Sequence, residues 1–183
     1  MNTSSLHERL AAGLGLAVAL VGGTASAATL ELEVTLPNIA SAAYHPPYLA
    51  AWIERPGDPA VVATLAVWYD TRLRDQLGKI FLKELRTWWR KAGSAMTLPA
   101  DGISGPTRSA GVHALRFSEK QEALAALAPG NYQVVVEVAR EQGGRTVLRA
   151  PFSWKGGDAA SNGAAQPDDS GGELAALKVA AKP

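Results

Sequence analysis

The amino-acid sequence predicts a mainly β protein: a single antiparallel, immunoglobulin-like β-sandwich with one amphipathic helix and a disordered C-terminal tail. Three observations lead to this prediction. Several short segments alternate apolar and polar residues, which is the pattern of a half-buried strand. Turn-forming residues separate these segments at short intervals, as they do in antiparallel sandwiches. The chain of 183 residues has room for one domain of ordinary size.

The first residues have the composition of a secretion signal. Arg9 precedes an apolar run over residues 10–21, and small residues end the segment at Ala27. The run is too short to cross a bilayer, and small residues at its end are what a signal peptidase reads. We therefore expect a signal peptide over residues 1–27 and a mature periplasmic protein without a transmembrane segment.

Residues 28–154 form the predicted domain. The first strand candidate alternates leucine and valine with glutamate and threonine. The last two candidates flank the sequence Glu-Gln-Gly-Gly at 141–144, which is typical of a hairpin turn. The strand candidates cover residues 30–36, 48–54, 61–69, 112–117, 131–140 and 145–154.

One segment, residues 79–91, has the periodicity of a helix. Its apolar residues fall on one stripe and its basic residues on the opposite side. The stripe would cover the sandwich, and the basic side is either solvated or a docking face for an anionic partner. The apolar residues are Phe81, Leu82, Leu85, Trp88 and Trp89, and the basic residues are Lys79, Lys83, Arg86 and Arg90.

The composition changes after Trp154. Glycine, alanine, serine, asparagine and aspartate dominate residues 155–172, and such a segment cannot bury enough apolar surface to offset its ordering entropy. Residues 173–182 have helical propensity, but an isolated helix of this length is marginal. We therefore expect residues 155–183 to be a disordered tail.

Composition also excludes several classes of function. Eighteen basic and seventeen acidic residues nearly balance, which argues against binding of nucleic acid through bulk positive charge. The absence of cysteine excludes thiolate catalysis, disulfides and cysteine-ligated metals. His45 and His113 are far apart in the sequence, so we assign no metal site and no catalytic residue. A hydrolase or metalloenzyme would require the fold to bring these histidines to a carboxylate.

The loop at residues 99–111 carries the candidate site. Its sequence resembles the Asp-x-x-Ser/Thr-Gly-Ala-Ser/Thr acceptor motif of periplasmic flavin transferases, with Pro106 in place of the alanine. The resemblance implies FMN attached through its phosphate to a threonine hydroxyl in an exposed, flexible segment. The plainer interpretation is a turn held by an Asx-type bond from its aspartate. The motif residues are Asp101, Ser104, Gly105 and Thr107.

Other side chains could bind this cofactor as well. Arg108 follows the acceptor threonine and could pair with the flavin phosphate. An indole could stack on the flavin ring if it lies close to the loop, although core packing is the usual role of buried tryptophans. The candidates are Trp68, Trp88 and Trp89.

The acceptor loop and four further segments resemble the exported DUF2271 family. These segments are residues 45–54, 64–69, 85–91 and 130–144, and their order and spacing match over nearly the whole predicted domain. The resemblance implies a context of flavin transferases and PepSY-type membrane systems that serve electron transfer or iron acquisition.

Two functions follow from these observations. The first is a flavoprotein that carries electrons from a membrane reductase to a soluble acceptor on FMN attached to Thr107, with a flavin transferase as a second partner. The alternative is a cofactor-free periplasmic binding or adaptor module associated with a PepSY-type or iron-acquisition membrane system.

Overall fold

The computed structural model describes residues 27–40, 44–155, 161–167 and 172–182. Nearly all of the expected signal peptide, residues 1–26, lies outside this range. The described residues form two sheets with few helical segments. The mainly β fold is therefore confirmed, while the immunoglobulin-like form of the sandwich stays a prediction.

Four strands form the first sheet and five form the second. The strands are β1 (Thr29–Leu36), β2 (Tyr48–Arg55), β3 (Asp58–Tyr69), β4 (Ser104–Pro106), β5 (Gly111–Ser118), β6 (Gly130–Ala139), β7 (Arg145–Trp154), β8 (Ser161–Ala165) and β9 (Ala176–Lys182). The helical segments are 3₁₀ helices at Arg74–Glu84 and Gly93–Ala95, α1 (Arg86–Lys91) and α2 (Glu122–Ala125). The strand orders are β5-β1-β9-β8 and β4-β3-β2-β6-β7.

The alternation seen in the sequence determines how the first sheet packs. Leu32 and Val34 of β1 point into the core that lies between the two sheets. Glu31 and Glu33 point outward, where Lys182 and Lys178 of β9 donate to them at 2.6 and 2.7 Å. Because successive side chains of a strand face opposite sides, one short sequence provides both the apolar face and the charged face.

The second sheet packs on both of its faces. One face contributes Ile53 and Val136 to the core between the sheets. The other face forms a second core with the helical segments, in which Trp52 meets Leu85 and Trp88. Of the apolar stripe predicted for residues 79–91, Leu82, Leu85 and Trp88 are buried as expected, while Phe81 and Trp89 are half-buried.

The prediction of one continuous helix over residues 79–91 is wrong. A 3₁₀ helix ends at Glu84, Leu85 leaves the helical conformation at φ −77° and ψ 65°, and α1 then begins. The buried Glu137 carboxylate of β6 accepts hydrogen bonds from the backbone N–H groups of Thr87 at 3.0 Å and Trp88 at 2.8 Å. These N–H groups have no partner inside a helix, so the sheet determines where α1 starts.

The prediction of a disordered tail is also wrong for the described residues beyond 155. The strand β9 lies between β1 and β8 in the first sheet, and β8 pairs with β9 from Ser161 to Ala165. Leu177, Val179 and Ala181 alternate into the core. The folded domain therefore extends to residue 182 rather than ending at 154.

A buried ion pair joins this C-terminal segment to the second sheet. Glu173 is 3% exposed, and its carboxylate accepts hydrogen bonds from the Arg140 guanidinium at 3.0 Å and from the Gly144 N–H at 2.7 Å. Its own N–H donates to the Thr146 hydroxyl. The turn between β6 and β7 is thereby tied to the residues that lead into β9.

We expect Glu173→Ala to lower the free energy of unfolding by about 3–5 kcal/mol, because it leaves the Arg140 guanidinium buried without its partner. The matched control is Lys178→Ala, which removes an exposed ion pair with Glu33 and should cost at most about 1 kcal/mol. Urea unfolding measures both values. Equal losses in the two variants would contradict the structural role of Glu173.

Candidate functional site

The candidate acceptor Thr107 follows a short strand at the edge of the second sheet. The strand β4 runs parallel to β3 and pairs Ser104 with Val67 through to Pro106 with Tyr69. The Thr107 N–H then donates to the Tyr69 carbonyl oxygen at 3.2 Å. The centre of the loop at 99–111, expected to be flexible, is therefore a strand that fixes the backbone beside Thr107.

Pro106 occupies a position in β4 that needs no hydrogen-bond donor. Along a strand at the edge of a sheet, N–H groups point alternately toward the neighbouring strand and away from it. The Thr107 N–H points toward β3, so the backbone nitrogen of Pro106 points away from β3. Proline, which has no N–H, is tolerated at such positions. The departure from the alanine of the motif is compatible with the fold.

Ser104, rather than Asp101, holds the turn before β4. The Ser104 hydroxyl accepts a hydrogen bond from the Ala100 N–H, and the Ser104 N–H donates to the Ala100 carbonyl oxygen, both at 2.9 Å. Asp101 is exposed on this turn. The hydroxyl of the motif therefore has a structural role, whereas the exposed carboxylate is open to a partner.

The fold places no demand for glycine at position 105. Gly102, in the preceding turn, has φ +71°, which favours glycine, but no such φ occurs at Gly105. A Cβ atom at Gly105 would lie 3.5 Å from Cδ1 of Trp68, an ordinary contact distance. The fold therefore gives no reason for a glycine at this position of the motif.

Arg108 packs against an indole ring. Its guanidinium carbon lies 4.2 Å from the centre of the Trp68 ring, within the range of a cation–π interaction. His113 meets the same ring edge-on, at 5.7 Å between centroids. Arg108 thus anchors the chain immediately after Thr107, and this contact competes with the phosphate pairing that the sequence suggested.

Most of the candidate tryptophans are buried in the interior. Trp68 is 2% exposed and Trp88 is fully buried. Trp89 is half-buried and meets Trp88 edge-on. Neither Trp68 nor Trp88 presents a free face on which a flavin ring could stack.

Thr107 lines a cleft of about 410 Å³ at one end of the second sheet. Its lining combines apolar residues, here called the wall, with polar residues, here called the rim, and several chain segments contribute to both sets. The wall consists of Pro46, Tyr48, Leu73, Leu77, Ile80 and Phe81, and the rim of His45, Asp70, Arg72, Thr107 and Glu141.

Strand directions bring these segments together. Because β2 is antiparallel to both β3 and β6, the start of β2 lies beside the ends of its two neighbours. Because β4 is parallel to β3, Thr107 arrives at the same end of the sheet. The order and the directions of the strands in the second sheet therefore form the cleft.

The two histidines of the domain lie in different surroundings. His45 lines the cleft, while an imidazole nitrogen of His113 lies 2.8 Å from the Ser109 carbonyl oxygen. Over the described ranges, the structure contains no group of three or more histidine, aspartate or glutamate side chains placed to hold a metal ion. Within the same ranges no helix is long and apolar enough to cross a membrane.

A match to a known family covers all of the strands described above except β9. A family model described as a predicted periplasmic protein, DUF2271, matches residues 29–171. The chain belongs to the DUF2271 family. No curated protein and no solved structure matches it. In this DUF2271 protein the matched range starts with β1, contains every residue of the cleft and continues past β8.

The cleft of the DUF2271 protein is compatible with FMN in size and chemistry. Its volume lies within the range of about 300–1,000 Å³ that is typical of ligand sites. The half-buried Thr107 is a hydroxyl residue on its lining, and Arg72 is a cationic residue of the same lining. A phosphate-linked aromatic ligand could use the hydroxyl as its attachment point and the apolar residues as a surface for its ring.

Sequence reasoning missed most of the cleft. Of its lining, the sequence predicted only Thr107 as a site residue. His45 and Phe81 were named without being assigned to a site, and no role was predicted for Tyr48, Asp70 or Glu141. A partial signal was available, since Tyr48 begins a predicted strand, Asp70 directly follows another and Glu141 lies in the predicted hairpin turn. Which strand ends meet could not be read from these positions.

Burial and two carboxylates act on the Tyr48 hydroxyl. Desolvation raises the pKa of Tyr48 most, and the negative charges of Glu141 and Asp70 raise it further. Asp70 also accepts a hydrogen bond from the Arg72 N–H at 2.9 Å. Two carboxylates of the cleft therefore disfavour the ionised form of Tyr48.

We expect the phenol of Tyr48 to ionise above the ordinary tyrosine pKa of about 10, in a titration followed by tyrosinate absorbance. Glu141→Gln and Asp70→Asn should each lower its pKa, and Tyr48→Phe should remove the late component. Since the folded-state pKa is raised, Tyr48 stabilises the fold below pH 10 and loses this contribution as the pH rises through that pKa. An unchanged titration in both carboxylate variants would contradict this electrostatic account.

Proposed function

We propose that this DUF2271 protein is a periplasmic electron carrier whose FMN is attached to the Thr107 hydroxyl as a phosphate ester. One observation carries the proposal: the last residue of the acceptor motif lies at the end of an edge strand with its side chain on a cleft of ligand size. A threonine buried in the core would offer a transferase no access.

The attachment is a phosphoryl transfer with a defined leaving group. The Thr107 oxygen attacks the flavin-side phosphorus of a donor in which FMN is joined to a nucleotide by a pyrophosphate. The new O–P bond forms as the pyrophosphate O–P bond breaks, the nucleoside monophosphate leaves, and the hydroxyl proton passes to a base of the transferase. No electron is transferred in this step.

The surroundings of Thr107 suit the approach of such an enzyme. The strand β4 lies at the edge of its sheet and is three residues long, so one side of its backbone has no neighbouring strand. Pro106 and Asp101 are exposed, and Gly105 has no side chain to obstruct a second protein. Thr107 itself is half-buried and held by its N–H, which presents its hydroxyl in a defined position.

A covalent cofactor also suits the composition of the chain. Bound FMN supplies reversible transfer of one or two electrons, which the side chains of a cysteine-free protein do not provide. The chain's own residues hold and shield the ligand: Thr107 tethers it, Arg108 fixes the tether by packing on Trp68, and Arg72 offers a positive charge to the phosphate. A membrane reductase and a soluble acceptor would be the electron partners.

We expect co-expression with a periplasmic flavin transferase to add the mass of one FMN, less water, to the mature chain. Thr107→Ala should abolish the addition, and Thr107→Ser should retain it because the hydroxyl remains. Gly105→Ala should leave the unfolding midpoint nearly unchanged, since the fold tolerates a methyl group there. The same variant should reduce labelling, because the added methyl group obstructs the transferase. Intact mass and in-gel flavin fluorescence measure the attachment.

The control for this experiment is Ser109→Ala, which removes an exposed hydroxyl two residues away. Labelling of this variant should equal that of the wild type. Unlabelled wild-type protein, or full labelling of Thr107→Ala, rules out the carrier.

The alternative is the cofactor-free adaptor, which would dock through the basic side of the helical segments. Lys83 and Arg86 are exposed there, which favours this surface as a docking site. Its positive charge is partly compensated, because Arg86 lies 3.7 Å from Glu84. The carrier therefore has the stronger structural support.

We expect the double variant Lys83→Glu and Arg86→Glu to abolish capture of a membrane-system partner if the adaptor function is correct, and Thr107→Ala to leave capture intact. If the carrier function is correct, Thr107→Ala should abolish electron transfer and the double variant should leave it intact. Pull-down from membranes of the native host, with each variant as bait, separates the two.

A further inference from the structure

We infer that the cleft beside Thr107 binds the isoalloxazine ring of the attached flavin and lowers its reduction potential. The inference rests on the proposed function and extends it, because attachment at Thr107 requires only an accessible hydroxyl. A ring held in the cleft requires in addition an apolar surface, complementary polar groups and a route from the tether. The structure provides each of these.

Exposed apolar side chains are concentrated at this cleft. Leu73, Leu77 and Ile80 are 39%, 44% and 55% exposed, and all three belong to its wall. Val62 and Val112 are the other large apolar side chains exposed in the described part of the chain, and both lie outside the cleft. A cluster of exposed apolar groups of this kind marks a binding surface.

An aromatic pair adds a flat surface to the wall. The rings of Tyr48 and Phe81 stack with centroids 5.9 Å apart and planes 21° apart. Tyr48 is buried, whereas Phe81 is half-buried. Phe81 also lines the cleft, so a third planar ring bound there could pack against this pair, and aromatic pairs are worth about 0.5–1.5 kcal/mol beyond their buried area.

The ligand combines apolar and polar parts, as the lining of the cleft does. One end of an isoalloxazine is a dimethylbenzene ring without hydrogen-bonding groups, and the other is a pyrimidine ring with carbonyl oxygens and an N–H. His45, Asp70 and Arg72 on the rim can donate to and accept from these groups. Thr107, on the same lining, places the phosphate end of the tether within the cleft.

The charges that face the cleft favour the oxidised ring. Its titratable groups are the two carboxylates of Asp70 and Glu141, the Arg72 guanidinium, the His45 imidazole and the Tyr48 phenol. The Arg72 side chain is 84% exposed and that of Asp70 is 29% exposed, so solvent screens the Arg72 charge more strongly. Both carboxylates raise the pKa of Tyr48, and they also disfavour electrons added to a ring at this place.

The test uses the flavin-labelled full-length protein, with labelling first verified by intact mass. The wall variant is Leu77→Ala with Ile80→Ala, and the matched control is Val62→Ala with Val112→Ala. In the wild type and the control we expect a visible circular-dichroism band and a flavin fluorescence severalfold below that of the same protein in urea. The wall variant should lose the band and approach the fluorescence measured in urea.

A redox titration tests the effect on the potential. Asp70→Asn and Glu141→Gln should each raise the reduction potential of the attached flavin, whereas Glu119→Gln, which lies outside the cleft, should not change it. Wild-type protein with the fluorescence and dichroism of free FMN, or equal spectra in the wall and control variants, overturns the inference. Absent labelling overturns both proposals, while labelled protein with the spectra of free FMN overturns this one alone.

Discussion

The central strands β2 and β6 of the second sheet are buried on both faces, and much of the remaining architecture follows from this constraint. Seven consecutive residues of β2 are buried, a pattern that a strand with one solvated face does not have. One face packs on the first sheet and the other needs a separate cover, which the helical segments over residues 74–91 provide. The cover and the loops at the end of the sheet leave between them the cleft in which Thr107 lies.

Buried carboxylates hold these layers in register. Glu137 accepts from the first turn of α1 and from the Arg145 guanidinium at 2.7 Å. Glu54 accepts from the Trp52 indole at 2.8 Å and pairs with Lys91, at the end of α1. A carboxylate in such a place is costly unless it is paired, so each partner must occupy one position. The packing of the cover on the sheet is specified by charge as well as by shape.

The sequence allowed most strands to be predicted, because alternation in β1 and β6 directly reflects which face is buried. The predictions were wrong where a sequence pattern had two physical interpretations. Residues 173–182 are rich in alanine and leucine, which suits a helix in isolation, but the neighbouring strands β1 and β8 override that propensity. The break at Leu85 depends on Glu137, which lies 50 residues from Thr87 in the chain. The motif around Thr107 was visible as a string of residues, whereas the cleft beside it depends on the parallel pairing of β4, which local patterns do not encode.

The position of β9 has a consequence for how the protein matures. Glu33 and Lys178 are 145 residues apart in the chain yet meet across neighbouring strands, so the first sheet has no central partner for β1 until residues 176–182 are present. Closing so long a loop is slow compared with local pairing. Pairing of β1 with β5 can precede this closure, so residues 176–182 complete a sheet that β1 begins.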